Sequence, residues 1–126
     1  MKSAVPREGI FAVYKAEGIT SHDVVDVVRR ATGERRVGHA GTLDPCACGV
    51  LVVGVGRPAT KRLSSVVGTE KEYLTRVRLG WRSTTDDREG EKEQVDVAAP
   101  PTEDQVRCAL ASFAGTFDQR PPAFSA

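Results

Sequence analysis

The sequence feature that most constrains the fold is an unbroken apolar run at residues 49–56 (GVLVVGVG). Its length and β-branched content are typical of a strand that is covered on both faces. Gly54 within the run predicts the close approach of another element. A polar, glycine-spaced stretch at residues 38–45 (GHAGTLDP) comes shortly before the run and holds one carboxylate, Asp44. We therefore predict a buried strand with a polar loop at its mouth.

Regular elements are predicted on both sides of this run. Residues 9–15 carry β-branched and aromatic side chains with no breaker inside, which predicts a strand. Thr20 and Asp23 form a capping box, and the apolar spacing that follows predicts an amphipathic helix closed by Gly33. A second helix is predicted at about 59–67, after a proline that suits the first turn.

The second half of the sequence has a different pattern. Residues 70–81 alternate between apolar and polar side chains, which predicts a long strand, and 91–97 predicts a weaker strand that pairs back as a hairpin. A capping box of Thr102 and Gln105 predicts a third helix with an apolar stripe, and 116–119 predicts a short strand. This order of elements predicts an α/β or α+β fold: a mixed, largely antiparallel sheet with flanking helices.

Composition excludes several classes of protein. The formal net charge of +1 argues against binding nucleic acid by charge alone, although it allows a local basic patch. No window approaches the roughly 18 apolar residues of a membrane span, and no secretory leader is recognisable. Three cysteines without a secretory signal predict reduced thiols in the cytoplasm. Cys46 and Cys48 form a pair without a second paired motif, so we predict no metal site.

The polar stretch is the candidate site. Pro45 fixes the chain directly after Asp44, and His39 and Thr42 lie in the same stretch. A carboxylate placed in this way can act as a nucleophile or a general base, but spacing alone favours an aspartate that caps a turn. The sequence lacks the glycine-rich motifs that bind dinucleotides or nucleoside triphosphates. It also lacks a second carboxylate in the loop for a glycosidase-type pair.

Residues 38–45, followed by Ala47 and 49–51, resemble the active-site motif of the TruB-type pseudouridine synthases. Residues 15–25 (KAEGITSHDVV) resemble the N-terminal motif of that family. Further segments resemble, in order, its helix start, its tyrosine strand, the turn that follows and the start of its RNA-covering loop: residues 59–61, 71–73 with 79–80, 85–90 and 119–126.

The resemblance implies a function and a fold. The family isomerises a uridine in the T arm of tRNA (uridine 55) to pseudouridine after base flipping, without a cofactor or a metal. It implies that Asp44 is the nucleophile, that Tyr73 stacks on the flipped base and that His39 contacts the RNA nearby. Thr42 is expected to join the substrate site. The fold would be the pseudouridine synthase catalytic domain, incomplete at its C-terminus.

The expected partner is the T-arm stem-loop of tRNA. The protein is expected to be a monomer and not to bind a membrane. Candidate phosphate contacts are Lys15, Arg36, Arg57 and Lys61, each of which could equally be ordinary solvated surface.

Two alternatives to a tRNA-modifying enzyme remain open. The family's chain continues beyond Ala126, so residues 1–126 are expected to be the N-terminal portion of one catalytic domain, with little or no activity alone. The chain would then be a truncated, non-catalytic RNA-binding fragment. The other alternative is a guide-RNA-dependent relative that modifies rRNA.

Overall fold

The computed structural model of the protein describes residues 8–120. The elements in this range are, in chain order, β1 (Gly9–Lys15), α1 (Ser21–Thr32), β2 (Val37–Ala40), β3 (Gly49–Val55), α2 (Arg57–Val67), β4 (Trp81–Ser83), β5 (Lys92–Gln94) and α3 (Glu103–Ala111). Every strand pairing in the described range is antiparallel, which confirms the predicted α+β class with largely antiparallel sheets. None of the helices described is long and apolar enough to cross a membrane.

The chain divides into two compact units, one ending at Tyr73 and the other beginning at Leu74. The first unit contains β1 to α2, and the second contains β4, β5 and α3. The assignment of residues 1–126 to a single catalytic domain stays a prediction. Most of the predicted RNA-covering segment, residues 121–126, lies outside the described residues.

The first unit is built on a three-stranded sheet in the order β1-β3-β2. Its central strand, β3, is the apolar run, as predicted. Lys15 pairs with Gly49 at one end of the sheet, and Val37 pairs with Val55 at the other. The predicted loop at 38–45 is too long, because its first three residues pair with β3 and belong to β2.

The two helices of this unit cover opposite faces of the sheet. Val37 and Val55 pair across the strands and join the core cluster with Val24 and Val25 of α1. The next pair along, Gly38 and Gly54, points to the other face, where Cβ atoms added to them would meet Leu63 of α2. This arrangement confirms that β3 is covered on both faces, except near its start, where Val50 is 68% exposed.

Helix α1 begins as the sequence predicts. The Thr20 hydroxyl accepts the Asp23 N–H at 3.1 Å, and the Asp23 carboxylate accepts the Thr20 N–H at 2.7 Å. The hydrogen bonds from Thr20 lower the pKa of Asp23. Gly33 ends the helix in a left-handed conformation with φ of 72°.

The prediction of a long strand at 70–81 is wrong for most of its length. Residues 70–78 adopt no regular structure, and only Trp81 of that range belongs to β4. A strand needs a neighbour for its backbone hydrogen bonds, and no described residue pairs with 70–78, so alternation alone does not form a ladder. The predicted hairpin is confirmed in β4 and β5, where Trp81 pairs with Gln94.

Helix α3 starts with the predicted capping box of Thr102 and Gln105 but buries no side chain. Leu110 and Phe113 of its apolar stripe are exposed. The strand predicted at 116–119 does not form. The apolar pattern of α3 therefore predicts the helix but not a buried face.

The close approach of α2 to β3 gives a test of packing. A Cβ atom on Gly54 would lie 3.2 Å from the backbone carbonyl carbon of Ala59, which cannot move without shifting α2. We expect Gly54→Ala to lower the free energy of unfolding in urea by about 1–3 kcal/mol through overpacking. The matched control is Gly38→Ala, whose Cβ would meet only side-chain atoms, the nearest at 3.4 Å. Equal losses in the two variants would contradict the role given to this contact.

Candidate active site

Residues 41–48 connect β2 to β3 and carry Asp44. This segment is called the Asp44 connection, or the connection. Gly41, with φ of 75°, turns the chain directly after β2. The Asp44 carbonyl accepts the Ala47 N–H at 3.0 Å, which closes a turn behind the aspartate. The Asp44 and Thr42 side chains are exposed. The carboxylate is thus presented to solvent from a short, internally bonded connection.

Ser21 holds the residue before Asp44. The Ser21 side chain is 3% exposed and lies at the first position of α1. Its hydroxyl donates to the Leu43 carbonyl at 3.0 Å and accepts the Leu43 N–H at 3.0 Å. Both backbone polar groups of Leu43 are therefore satisfied by one buried oxygen.

The residue after Asp44 is held from the same part of the chain. The Pro45 carbonyl accepts the Gly18 N–H at 2.7 Å and the Lys15 ammonium at 3.4 Å. The connection is therefore attached on each side of Asp44 to the segment between β1 and α1.

Lys15 is the most deeply buried polar side chain of this region, with 0% exposure. Its ammonium also donates to the carbonyls of Ala16 at 2.9 Å and Ile19 at 2.7 Å. This placement differs from the predicted phosphate contact, because the charged group is turned inward and its hydrogen bonds go to backbone carbonyls. In this structure Lys15 holds the turn between β1 and α1 by hydrogen bonds and joins it to the Asp44 connection.

His39 lies on β2 and pairs with Val53 of the central strand. Directly paired residues share a face, so His39 lies on the face that packs against α1. Its Nδ1 is buried and has no hydrogen-bond partner within the described residues. A buried nitrogen without a partner is costly, so a ligand or water that bonded to it would stabilise the site.

Tyr73 lies in the segment that follows α2. Its side chain is 63% exposed, which leaves the ring available to a ligand. Two residues earlier, the Lys71 side chain passes Gly41, with Cε 3.7 Å from the position of a Cβ on that glycine. The start of this segment therefore lies beside the Asp44 connection.

The remaining basic candidates lie away from Asp44 along the sheet. Arg36 precedes β2 and its carbonyl accepts the Gly56 N–H at 2.8 Å, next to Arg57. These two arginines flank the Val37–Val55 end of the sheet, about 20 Å along β3 from Gly49. Both are exposed. Lys61 is exposed on α2, one turn after Arg57.

The cysteines of the connection are free thiols. The exposed Tyr14 side chain forms a hydrogen bond with Cys48, which raises the pKa of the Tyr14 phenol. Residues 8–120 contain no group of three histidine, cysteine or acidic side chains that could hold a metal ion.

The second unit contains a cleft of about 730 Å³ that the sequence did not reveal. Arg76, Arg78 and Trp81 line it, and the Arg78 guanidinium lies 5.0 Å from the centre of the Trp81 ring. Acidic residues from the hairpin loop also line the cleft, including Asp87. Hydrogen bonds from the Thr85 side chain and from backbone N–H groups that follow Asp87 lower the pKa of Asp87.

The fold and this site define an α+β protein in which a solvent-accessible carboxylate is held on a backbone fixed from both sides, as covalent or acid–base catalysis requires. Residues 29–126 match the family model described as TruB family pseudouridylate synthase (N terminal domain). The chain belongs to this family.

Curated relatives extend the match to almost the whole chain. A protein of Arthrobacter sp. (strain FB24) is 49% identical over 94% of this chain and 38% of its own length. One from Mycobacterium sp. (strain KMS) is 50% identical over 94% of the chain and 39% of its length. One from Corynebacterium diphtheriae is 46% identical over 100% of the chain and 43% of its length. All three are named tRNA pseudouridine synthase B, and the chain spans about two fifths of their length.

The inward position of Lys15 gives a stability prediction. Lys15→Met keeps the length of the side chain but leaves the Ala16 and Ile19 carbonyls without their donor. We expect the free energy of unfolding in urea to fall by about 1–3 kcal/mol, because partly buried acceptors lose the buried ammonium that bonds to them. Lys61→Met is the control, since Lys61 is exposed and should change stability by less than about 0.5 kcal/mol. A Lys15 variant as stable as this control would contradict the structural role.

Proposed function

We propose that the protein carrying this chain converts a uridine of tRNA to pseudouridine, with Asp44 as the nucleophile. The observation that carries the proposal is the position of Asp44, exposed on a connection whose neighbouring residues are fixed by Ser21 and Gly18. The match to the relatives includes this motif. Their names, tRNA pseudouridine synthase B, support the choice of tRNA.

The reaction needs a nucleophile that is held in place. Conversion to pseudouridine breaks the bond from the sugar to N1 of uracil and forms a bond from the sugar to C5. C5 loses its proton to solvent and N1 takes up a proton, so there is no net gain or loss of atoms. The detached base must be held while it turns, and a covalent intermediate divides this exchange into easier steps. A fixed backbone on both sides of Asp44 limits the motion of its carboxylate and so reduces the entropy lost on reaching the transition state.

The target base must also leave its stack. Extrusion of a nucleotide costs a few kcal/mol. An exposed aromatic ring recovers about 1–3 kcal/mol by stacking, and Tyr73, with its exposed ring in the segment beside Gly41, is suited to this role. His39 and Thr42 complete the proposed substrate site from β2 and the start of the connection.

The arginines at the far end of the sheet suit a longer RNA. Arg36 and Arg57 are exposed and lie about 20 Å along β3 from Gly49. An RNA stem that placed its target nucleotide at Asp44 would extend far enough to bring phosphates to them. The choice of the T arm of tRNA, with uridine 55 as the target, rests on the family resemblance of the motifs. The protein would act as a monomer in the cytoplasm without a cofactor.

A second candidate is RNA binding without turnover. The observation that favours it is the segment 70–78, which carries Tyr73 and has no strand partner among the described residues. An unpaired segment holds Tyr73 less firmly than a sheet would, and catalysis depends on such positioning. The two candidates differ in turnover and not in binding.

The nucleophile is tested by Asp44→Asn in the full-length gene product. We expect the release of tritium from a T-arm stem-loop labelled at C5 of uridine to fall by at least about 1,000-fold, because an amide does not replace a carboxylate nucleophile. The dissociation constant of the RNA should change by less than about threefold. Asp96→Asn, an exposed aspartate of the second unit, is the matched control. Undiminished tritium release by Asp44→Asn would exclude the nucleophile role, and RNA binding by a wild-type protein without turnover would favour the second candidate.

A phosphate contact is tested by Arg57→Gln. We expect weaker RNA binding and a salt dependence of log Kd that is shallower by about one, because one phosphate contact fewer releases about one counterion fewer. Arg107→Gln is the control, since Arg107 is paired with Glu103 in the second unit. An unchanged salt slope in the Arg57 variant would mean that this side chain does not touch the RNA backbone.

A further inference from the structure

We propose that Ser21 is a positioning residue for Asp44, and that the reaction depends on its hydroxyl although Ser21 does not touch the RNA. The inference rests on the proposed function, because it names what holds the nucleophile of that reaction. It arises from one buried oxygen that bonds to both polar backbone groups of Leu43.

The two bonds fix two successive peptide planes. The Leu43 N–H belongs to the peptide that joins it to Thr42, and the Leu43 carbonyl belongs to the peptide that joins it to Asp44. A serine hydroxyl has one proton to donate and lone pairs to accept, so both bonds form at once. With both peptides oriented by the same atom, the direction in which the chain enters Asp44 is set by Ser21.

The Ser21 hydroxyl has no competing role in the helix. The side chain that caps α1 is that of Thr20, which accepts the Asp23 N–H. The Ser21 hydroxyl is therefore free to bond across to the connection, 22 residues further along the chain.

Ser21 is itself rigidly placed. It lies three and four residues before Val24 and Val25, on the side of α1 that packs into the core of the first unit. All three side chains are buried. The hydroxyl thus connects the core to the Asp44 backbone, while the Asp44 carboxylate stays exposed and able to react.

Removal of the hydroxyl should affect the reaction more than binding. In Ser21→Ala the Leu43 N–H and carbonyl lose their shared partner, and Asp44 is held only from the Pro45 side. We expect kcat to fall by about 10- to 100-fold, since a displacement of about 1 Å at a reacting group can cost that much. The dissociation constant of the RNA should change by less than about twofold.

The experiment compares Ser21→Ala, Ser21→Thr and Ser65→Ala in the full-length gene product. Ser65 is a suitable control because it is exposed and its hydroxyl donates within α2, to the Arg62 carbonyl. Four quantities are measured: kcat and KM for a T-arm stem-loop, the dissociation constant of the RNA, the melting temperature, and the hydrogen-exchange protection of the Leu43 amide. The last reports directly on the Ser21 contact.

The expected result is that Ser21→Ala loses Leu43 protection and kcat together, with KM and RNA binding nearly unchanged. Ser21→Thr should recover kcat to the extent that it restores Leu43 protection. Wild-type kcat in a Ser21→Ala protein whose Leu43 amide is unprotected would overturn the inference. So would a loss of kcat that follows the melting temperature across the variants. Absence of pseudouridine with the wild-type protein would instead overturn the proposed function.

Discussion

The first unit depends on the burial of β3 between two helices. On one face its valines pack against α1, and on the other Gly54 lets the backbone of α2 approach. This central strand fixes the register of β1 and β2, and that register places Lys15 opposite Gly49. The turn after β1 and the connection before β3 consequently leave the sheet at the same end. The contacts around Asp44 follow from that juxtaposition.

At this end of the sheet, the buried side chains of Lys15 and Ser21 form hydrogen bonds that fix the backbone around Asp44. The Lys15 ammonium donates hydrogen bonds to three backbone carbonyls. The Ser21 hydroxyl bonds to both the N–H and the carbonyl of Leu43. Such interactions contribute little net stability by comparison with apolar packing, but each is costly to break where a partly buried polar group would lose its partner. Their effect is to give the connection one conformation. An exposed carboxylate on a fixed backbone is the result.

Much of this architecture can be read from the sequence where the signal is local. The capping boxes at Thr20 and Thr102, the apolar run of β3 and the tight approach at Gly54 are each encoded by neighbouring residues. The strand predicted at 70–81 fails because alternation describes one strand and not its partner. The inward turn of Lys15 is missed because a lysine is usually exposed, and its carbonyl partners are set by the tertiary fold.

Only part of the candidate site can be predicted from the sequence. Asp44, His39 and Tyr73 are proposed from their motifs, yet the motifs do not show what holds them. Ser21 did give a signal, since it is a polar residue at a position that shares the apolar side of α1 with Val24 and Val25. A small polar side chain at such a position indicates a buried hydrogen bond. Its partner, Leu43, is distant in sequence and appears only in the structure.

The bond from Gly18 to Pro45 also has a consequence for the dynamics of the connection. Loops around reactive groups commonly open on their own, independently of the core. Here the connection is tied to the turn between β1 and α1, so it cannot open widely without disturbing the packing of both. We therefore expect the Asp44 backbone to open together with the sheet and not as an independent loop.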